Sequence, residues 1–290
     1  QLNELIVEAL ERNADLQVAA VRVEAAAAEV RIAGADLTPS VSGSVGSRRD
    51  KRNFVGFPIP GGGGNVLTTH STTHNLSLIT NWEVDLWGRI RAGKRAAQQD
   101  FEASLTDLRG ARISLAARVA NGWISVVEAR QQLEIARETI ESHRATEGQV
   151  RRRYEEGLRS SLDLRLASAS VAGAESVLEE RRIALESALR RLEILLGRYP
   201  KGALAGAVAL PDIPPAAPAG LPAEMLARRP DLTAARQRLF AADSRIKQAR
   251  AALLPRIRLT AQGGTTTTEL SDLLSSDFTV WTLAGNLAQP

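Results

Sequence analysis

The chain has 290 residues, with 37 Lys plus Arg against 33 Asp plus Glu and a formal net charge of +4; this balance reads as mixed charge on solvated helix faces and not as a nucleic-acid footprint. There is no cysteine, which excludes a disulfide framework, a thiolate nucleophile and a Cys-ligated metal, and His70, His74 and His143 are too scattered for a metal site. Neither of the two weakly charged stretches can be a membrane helix: Asn53–Asn81 carries Gly, Thr, Asn and Pro, and Gly202–Ala223 carries several prolines and Asp212.

In chain order, residues 1–37 read as one helix of about 36 residues that opens directly at Gln1, with no signal peptide ahead of it; a segment is expected to precede it. After Pro39, Val41, Gly43 and Val45 alternate with Ser40, Ser42 and Ser44, the period of a half-buried strand. The stretch FPIPGGGG breaks both helix and strand, and its glycines lack the lysine and following helix of a phosphate loop. Leu76, Leu78, Thr80 and Trp82 share one face of a returning strand, so 38–87 is a β-hairpin. If the protein enters a membrane, it does so through strands.

At the seam stands NWEVDLWGRIR, residues 81–91, with two of the four tryptophans of the chain. Glu83 and Asp85 would share a strand face. A carboxylate pair is conceivable there, but so common a spacing assigns no catalysis, and no nucleophile, acid–base or cofactor constellation appears elsewhere. The chain reads as a non-enzyme without cofactor or metal.

Residues 88–199 read as a long helical hairpin. No proline occurs between Gly61 and Tyr199, and Leu105, Leu108, the stem of Arg112, Leu115, Val119, Trp123, Val126 and Val127 recur at helical spacing. A first helix of about 70 residues would run roughly 105 Å and implies coiled-coil packing. The turn RYEEGLRSSLDL places Gly157 where a left-handed cap ends a helix. Ser160 or Ser161 offers an N-cap for the next helix, with Asp163 in its first turn. The returning helix, about 161–198, and the opening helix together nearly match the long one, so the two could stack end to end beside it. A Pro-rich linker follows at 200–219, then a helix at 220–254 and a β-hairpin at 255–290.

The two halves are self-similar. At a shift of 216 positions, Asp15, Leu16, Ala19, Arg22, Ala33 and Pro39 meet Asp231, Leu232, Ala235, Arg238, Ala249 and Pro255. After Pro255, Ile257, Leu259 and Ala261 alternate with polar residues. The second strand matches Asn81 to Asn286 at a shift of 205, which makes the first hairpin loop longer. Each half reads helix, strand, loop, strand, helix, and the second half stops before its helical hairpin, as in a fragment of a longer protein.

NWEVDLWGRIR, LPDIPPAAPAGLPAEMLARRPDL and RIKQARAALLPRIRLTAQGG together resemble the outer-membrane efflux protein family of TolC/OprM-like channels, nearest its NodT-type members, over essentially the whole chain. The resemblance implies two repeats per subunit and a homotrimer. Three subunits, four strands each, would close a 12-stranded transmembrane β-barrel in the Gram-negative outer membrane, above a long α-helical coiled-coil barrel in the periplasm. Closure has a physical reason, since open strand edges cannot face lipid. The family's function implies a passive exit duct of a tripartite efflux system, served by a periplasmic adaptor (membrane-fusion) protein and an inner-membrane RND-type pump. Trp82 and Trp87 would lie at the periplasmic membrane interface, and Trp281 on the same face nearer the opposite rim. The hairpin tip, Tyr154, Gly157, Leu158, Arg159, Ser160, Ser161, Leu162 and Asp163, would meet the adaptor. Asp163 would join polar links to a second hairpin that keep the duct closed; its other reading is a first-turn helix stabiliser. The cargo stays open among drugs, metal ions and secreted proteins, although a single methionine, Met225, speaks against a metal path. Lipidation also stays open, since the family often carries an acylated cysteine upstream. A structural coiled-coil scaffold or adaptor is the competing reading; it accounts for the helices and not for the strands.

Overall fold

The computed structural model describes residues 1–54, 67–204, 225–226 and 228–289. The FPIPGGGG loop and residues 205–219 of the expected linker at 200–219 lie outside the described residues. The elements are α1 (Leu2–Arg12), α2 (Ala14–Ala35), β1 (Ser40–Phe54), β2 (Leu67–Val84), α3 (Arg89–Glu155), α4 (Ser161–Leu195), α5 (Pro230–Ala252), β3 (Arg256–Thr267), two 3-10 turns at Leu270–Asp272 and Ser276–Phe278, and β4 (Thr279–Ala288). The protein is mostly helical with one four-stranded antiparallel sheet, ordered β1-β2-β3-β4. Among the described residues no helix is long and apolar enough to cross a membrane. The chain divides into two units, 1–24 with 104–234 and 25–103 with 235–290.

The first unit is a helical core. Leu115, Val119, Trp123, Val126 and Val127 form one stripe of α3 and pack with Leu5 and Ala9 of α1, Leu16 of α2, and Leu189, Leu192 and Leu196 at the end of α4. Each fully buried Val or Leu here contributes roughly 1.5–3 kcal/mol. Arg112, expected to lend its stem to this stripe, is exposed. Ala111 packs against the cluster instead.

The opening helix is not one run of about 36 residues. It breaks at Asn13, whose backbone is extended with ψ 125°. The buried Asn13 side chain accepts the Leu16 N–H at 3.1 Å, capping α2, and donates to the Leu195 carbonyl at 3.0 Å. One amide therefore ends α1, starts α2 and satisfies a carbonyl at the end of α4. In the second half α5 begins at Pro230, a residue suited to the first helical position because it has no N–H to leave unpaired. Within the helix expected from 220, residues 225, 226 and 228 are helical as well, and 220–224 and 227 lie outside the described residues. Gly197 ends α4 with φ +74°, and a Cβ there would come within 2.5 Å of the Arg12 carbonyl oxygen.

The second unit holds the sheet. Its register runs without a bulge through Ser40↔Asn81, Asn81↔Thr260 and Thr260↔Ala284. Carrying β1 onto β3 by the 216 shift makes Ala288 the counterpart of Asn81, because Ser40 pairs with Asn81 and Arg256 with Ala288. The match of Asn81 to Asn286 is therefore displaced by two residues. A slip of two keeps every side chain on its face, so alternation alone could not detect it.

Candidate functional site

Three features carry functional content: the seam between sheet and helix, the two faces of the sheet, and the tip of the helical hairpin. At the seam, nearly every residue of WEVDLWGR is engaged. The Trp82 indole N–H donates to the Leu37 carbonyl at 3.1 Å, and that of Trp87 to the Pro255 carbonyl at 2.7 Å. Leu37 precedes β1 and Pro255 precedes β3, so the two tryptophans tie down the two helix-to-strand turns of the sheet.

Glu83 and Asp85 do not form a carboxylate pair on one strand face, because β2 ends at Val84. Glu83 accepts twice from Arg89, at 2.8 and 3.0 Å. Asp85 accepts the backbone N–H groups of Ile90 and Arg91 at 3.1 and 2.9 Å and the Arg91 Nε–H at 3.1 Å. It is the anion that closes the start of α3, where unpaired N–H groups converge. Burial opposes the charge on Asp85, but these hydrogen bonds outweigh it and hold the carboxyl below the usual aspartate range. Gly88, at φ +76°, makes the turn between strand and helix. Both acids precede their arginine by six residues, a spacing that matches no helix or strand period and so did not mark the pairing in the sequence.

The sheet has one apolar and one polar face. The register brings Val41, Gly43 and Val45 of β1 level with Leu76, Leu78 and Thr80 of β2. The same face continues through Ile257, Leu259 and Ala261 of β3 and through Trp281, Leu283 and Leu287 of β4. Val41, Val45, Leu78, Trp281, Leu283 and Leu287 are all more than 60% exposed, so nothing else among the described residues covers this face. Trp281 shares the face of Trp82 and lies level with Leu78, four residues further along β2. The opposite face is mainly polar, with Ile79 and Val280 as its large apolar members: the Ser44 and Ser77 hydroxyls meet at 2.8 Å, the Ser40 hydroxyl donates to the Asn81 carbonyl, and the Thr260 hydroxyl donates to Asn81 Oδ1.

At the tip, α3 ends in a Schellman closure. The Gly157 N–H bonds the Tyr154 carbonyl at 2.9 Å and the Leu158 N–H bonds the Arg153 carbonyl at 2.7 Å, with Gly157 at φ +74°. Ser160, and not Ser161, caps α4: its hydroxyl accepts the Asp163 N–H at 3.2 Å while Asp163 Oδ2 accepts the Ser160 N–H at 3.1 Å. This is a reciprocal capping box. Those bonds from the Ser160 backbone and hydroxyl, and then the nearby Arg159, hold the Asp163 carboxyl below its usual range. Tyr154, Leu158 and Leu162 are exposed, which leaves an apolar rim around the cap. The sequence-predicted tip residues are therefore brought together by local geometry alone. The anchors at Leu37 and Pro255 were missed, because a carbonyl acceptor leaves no mark in residue type.

A sequence model described as outer membrane efflux protein matches residues 5–198 and 221–290. The chain is 34% identical over 291 residues to the toluene efflux pump outer membrane protein TtgF of Pseudomonas putida, covering all of the chain and 59% of that protein. It is similar in structure to a membrane protein from Pseudomonas aeruginosa, with TM-score 0.88 at 30% identity over 100% of the chain and 66% of that one. It is also similar to the CmeC outer membrane channel of Campylobacter jejuni, with TM-score 0.88 at 26% identity over 100% of the chain and 61% of that channel. The chain thus spans about three fifths of the length of the relatives it matches.

Proposed function

Since the chain belongs to the outer membrane efflux protein family, we propose that it forms part of an outer-membrane exit duct that passively conducts small organic compounds, drugs among them, out of the cell. The observation that carries this reading is the sheet. It has an uncovered apolar face, a polar reverse, and, among the described residues, a neighbour on only one side of β1 and of β4. The apolar band from Leu76 to Val84, nine residues at about 3.4 Å each and tilted by 35–45°, rises roughly 22 Å, close to the ~25 Å band of outer-membrane barrels. Two open edges cannot face hydrocarbon. Copies of the chain pairing β4 to β1 remove them, and three copies make a 12-stranded barrel of the size the family resemblance implies. The polar face then lines water, and Trp82, Trp87 and Trp281 sit toward the two rims of the band.

The name of TtgF supports toluene-like and other apolar cargo. An energised inner-membrane RND-type pump and a periplasmic adaptor would supply the driving force, with the adaptor meeting Tyr154, Gly157, Leu158, Arg159, Ser161 and Leu162. Asp163 has a second role in this reading. Among the described residues the hydrogen bonds that its carboxylate accepts both end on Oδ2, which leaves Oδ1 to link a neighbouring hairpin and hold the duct closed.

The test is made on the full reading frame. Membrane fractionation, and imaging of the detergent-extracted particle, are expected to give a threefold-symmetric outer-membrane assembly. A soluble or inner-membrane particle without that symmetry refutes the reading and leaves the coiled-coil scaffold as the alternative. In planar bilayers, Asp163→Ala is expected to raise the closed-state conductance; an unchanged conductance removes Asp163 from the gate and leaves it as a helix cap.

A further inference from the structure

Beyond the apolar band, β1 and β2 continue past the level at which β3 ends. The face that is apolar at Val41 and Val45 continues as Ser47, Arg49, Lys51 and Asn53, set opposite His74, Thr72, His70 and Thr68. Arg49 and Lys51 are exposed. Arg49 stands four residues, about 13 Å along the strand, beyond Val45. With the tilt of a barrel strand this is about 10 Å above the band, the depth of lipid headgroups.

The charge on this hairpin is sorted by face. Residues 40–82 contain one carboxylate, Asp50. It lies on the opposite face with Arg48 and Arg52, and binds Arg48 at 2.9 Å. Arg49 and Lys51 have no carboxylate partner among the described residues, and the undescribed loop at 55–66 contains no Asp or Glu to supply one. The hairpin of β3 and β4 is the reverse: its connection carries Glu269, Asp272 and Asp277, and residues 259–290 have no Lys or Arg. Of the four cations at 48–52, the two on the lipid side, Arg49 and Lys51, therefore stand apart from the one carboxylate of the hairpin and beyond exposed apolar residues.

We propose that Arg49 and Lys51, with the Thr72 hydroxyl and the His70 imidazole opposite them, bind the phosphate of a phosphorylated outer-leaflet lipid whose acyl chains lie along Val41, Val45 and Leu78. Arg offers a planar fork to phosphate oxygens and Lys a compact charge. Two residues apart on one face of a strand, they stand about 7 Å from each other, within reach of a single phosphate group. Headgroup recognition by clustered Lys and Arg beside a hydrophobic surface follows the same physics elsewhere in membranes. The site rests on the reading of this face as lipid-facing.

The experiment uses the full-length protein extracted in detergent, with phosphorylated lipid A and its dephosphorylated form as probes. Wild type is expected to retain the phosphorylated lipid and not the dephosphorylated one, with retention falling as salt rises. Arg49→Gln combined with Lys51→Gln is expected to weaken retention about thirtyfold, on the scale of two interfacial cations. Arg48→Gln combined with Arg52→Gln, on the other face, is expected to leave it unchanged. The exchange of Arg49→Lys with Lys51→Arg restores the charges and is expected to retain lipid, which separates loss of binding from loss of folding. Equal retention by wild type and the Gln pair, or retention that ignores the phosphate, overturns the site. If wild type fractionates to the outer membrane in either case, the duct reading survives the loss. If wild type leaves the outer membrane, both fall.

Discussion

Replacing Asp85 by alanine tests the seam most directly. Its side chain is only 8% exposed and accepts three hydrogen bonds, two from backbone N–H groups at the start of α3. Hydrogen bonds to a charged group contribute about 1.5–3 kcal/mol, and a buried donor left without a partner adds a cost of similar size. Ile90 is 4% exposed, so its N–H is poorly placed to find water, whereas the Arg91 N–H is freer. The expected loss is about 2–4 kcal/mol in Asp85→Ala and about half that in Asp85→Asn, which keeps one acceptor oxygen. Native-state hydrogen exchange reads it locally: the Ile90 amide should exchange at least about 30-fold faster in the alanine variant. The pH dependence follows from the lowered carboxyl. The contribution is fully present above the unfolded aspartate value of about 3.9 and is lost as pH falls through the lower folded value. Wild-type protection at Ile90 should therefore weaken on the acid side, and the Ala variant should lack that limb. Exchange within about threefold of wild type, or an acid limb that persists without the carboxylate, would refute the capping role.

Three further substitutions probe the elements that hold the site. Asn13→Ala removes the cap of α2 and orphans the Leu195 carbonyl, for an expected loss of about 2–3 kcal/mol; Asn13→Asp keeps the cap acceptor but sets a carboxylate oxygen against the Leu195 carbonyl, so the Leu16 amide should stay protected from local exchange while Asn13→Ala exposes it. Gly197→Ala meets a left-handed backbone worth about 1–2 kcal/mol and a Cβ within 2.5 Å of the Arg12 carbonyl; the melting temperature should fall and α1 amides should lose protection first. Trp87→Phe keeps the ring and deletes the bond to the Pro255 carbonyl, so amides at the start of β3 should open more readily by about 1 kcal/mol, with those of β1 unaffected.

Alternation along Val41–Val45 and Leu76–Trp82, the helical spacing of Leu115 to Val127, and the glycine and serine at the hairpin tip were all legible in the residues. The reason is physical: strand faces, helix stripes and caps are set by neighbours within a few positions, and residue type reports them. Self-similarity carried the prediction to a second helix at 220–254 and a second hairpin at 255–290. What lay beyond reach depended on partners far away in the chain. Asn13 breaks a helix of good helix formers because a carbonyl 182 positions on, at Leu195, accepts its amide. The two-residue displacement of Asn81 against Asn286 was invisible because both registers keep the same faces. Trp82 and Trp87 drew notice as aromatic residues at a boundary, but only the folded chain set their indoles against the Leu37 and Pro255 carbonyls. Likewise, the sequence by itself determined that four cations sit together at 48–52, and the pairing of β1 with β2 decided which two of them share a face with the apolar band. Composition and period act locally and survive in one dimension; which carbonyl, face or strand edge meets a given side chain is settled only when distant segments pack.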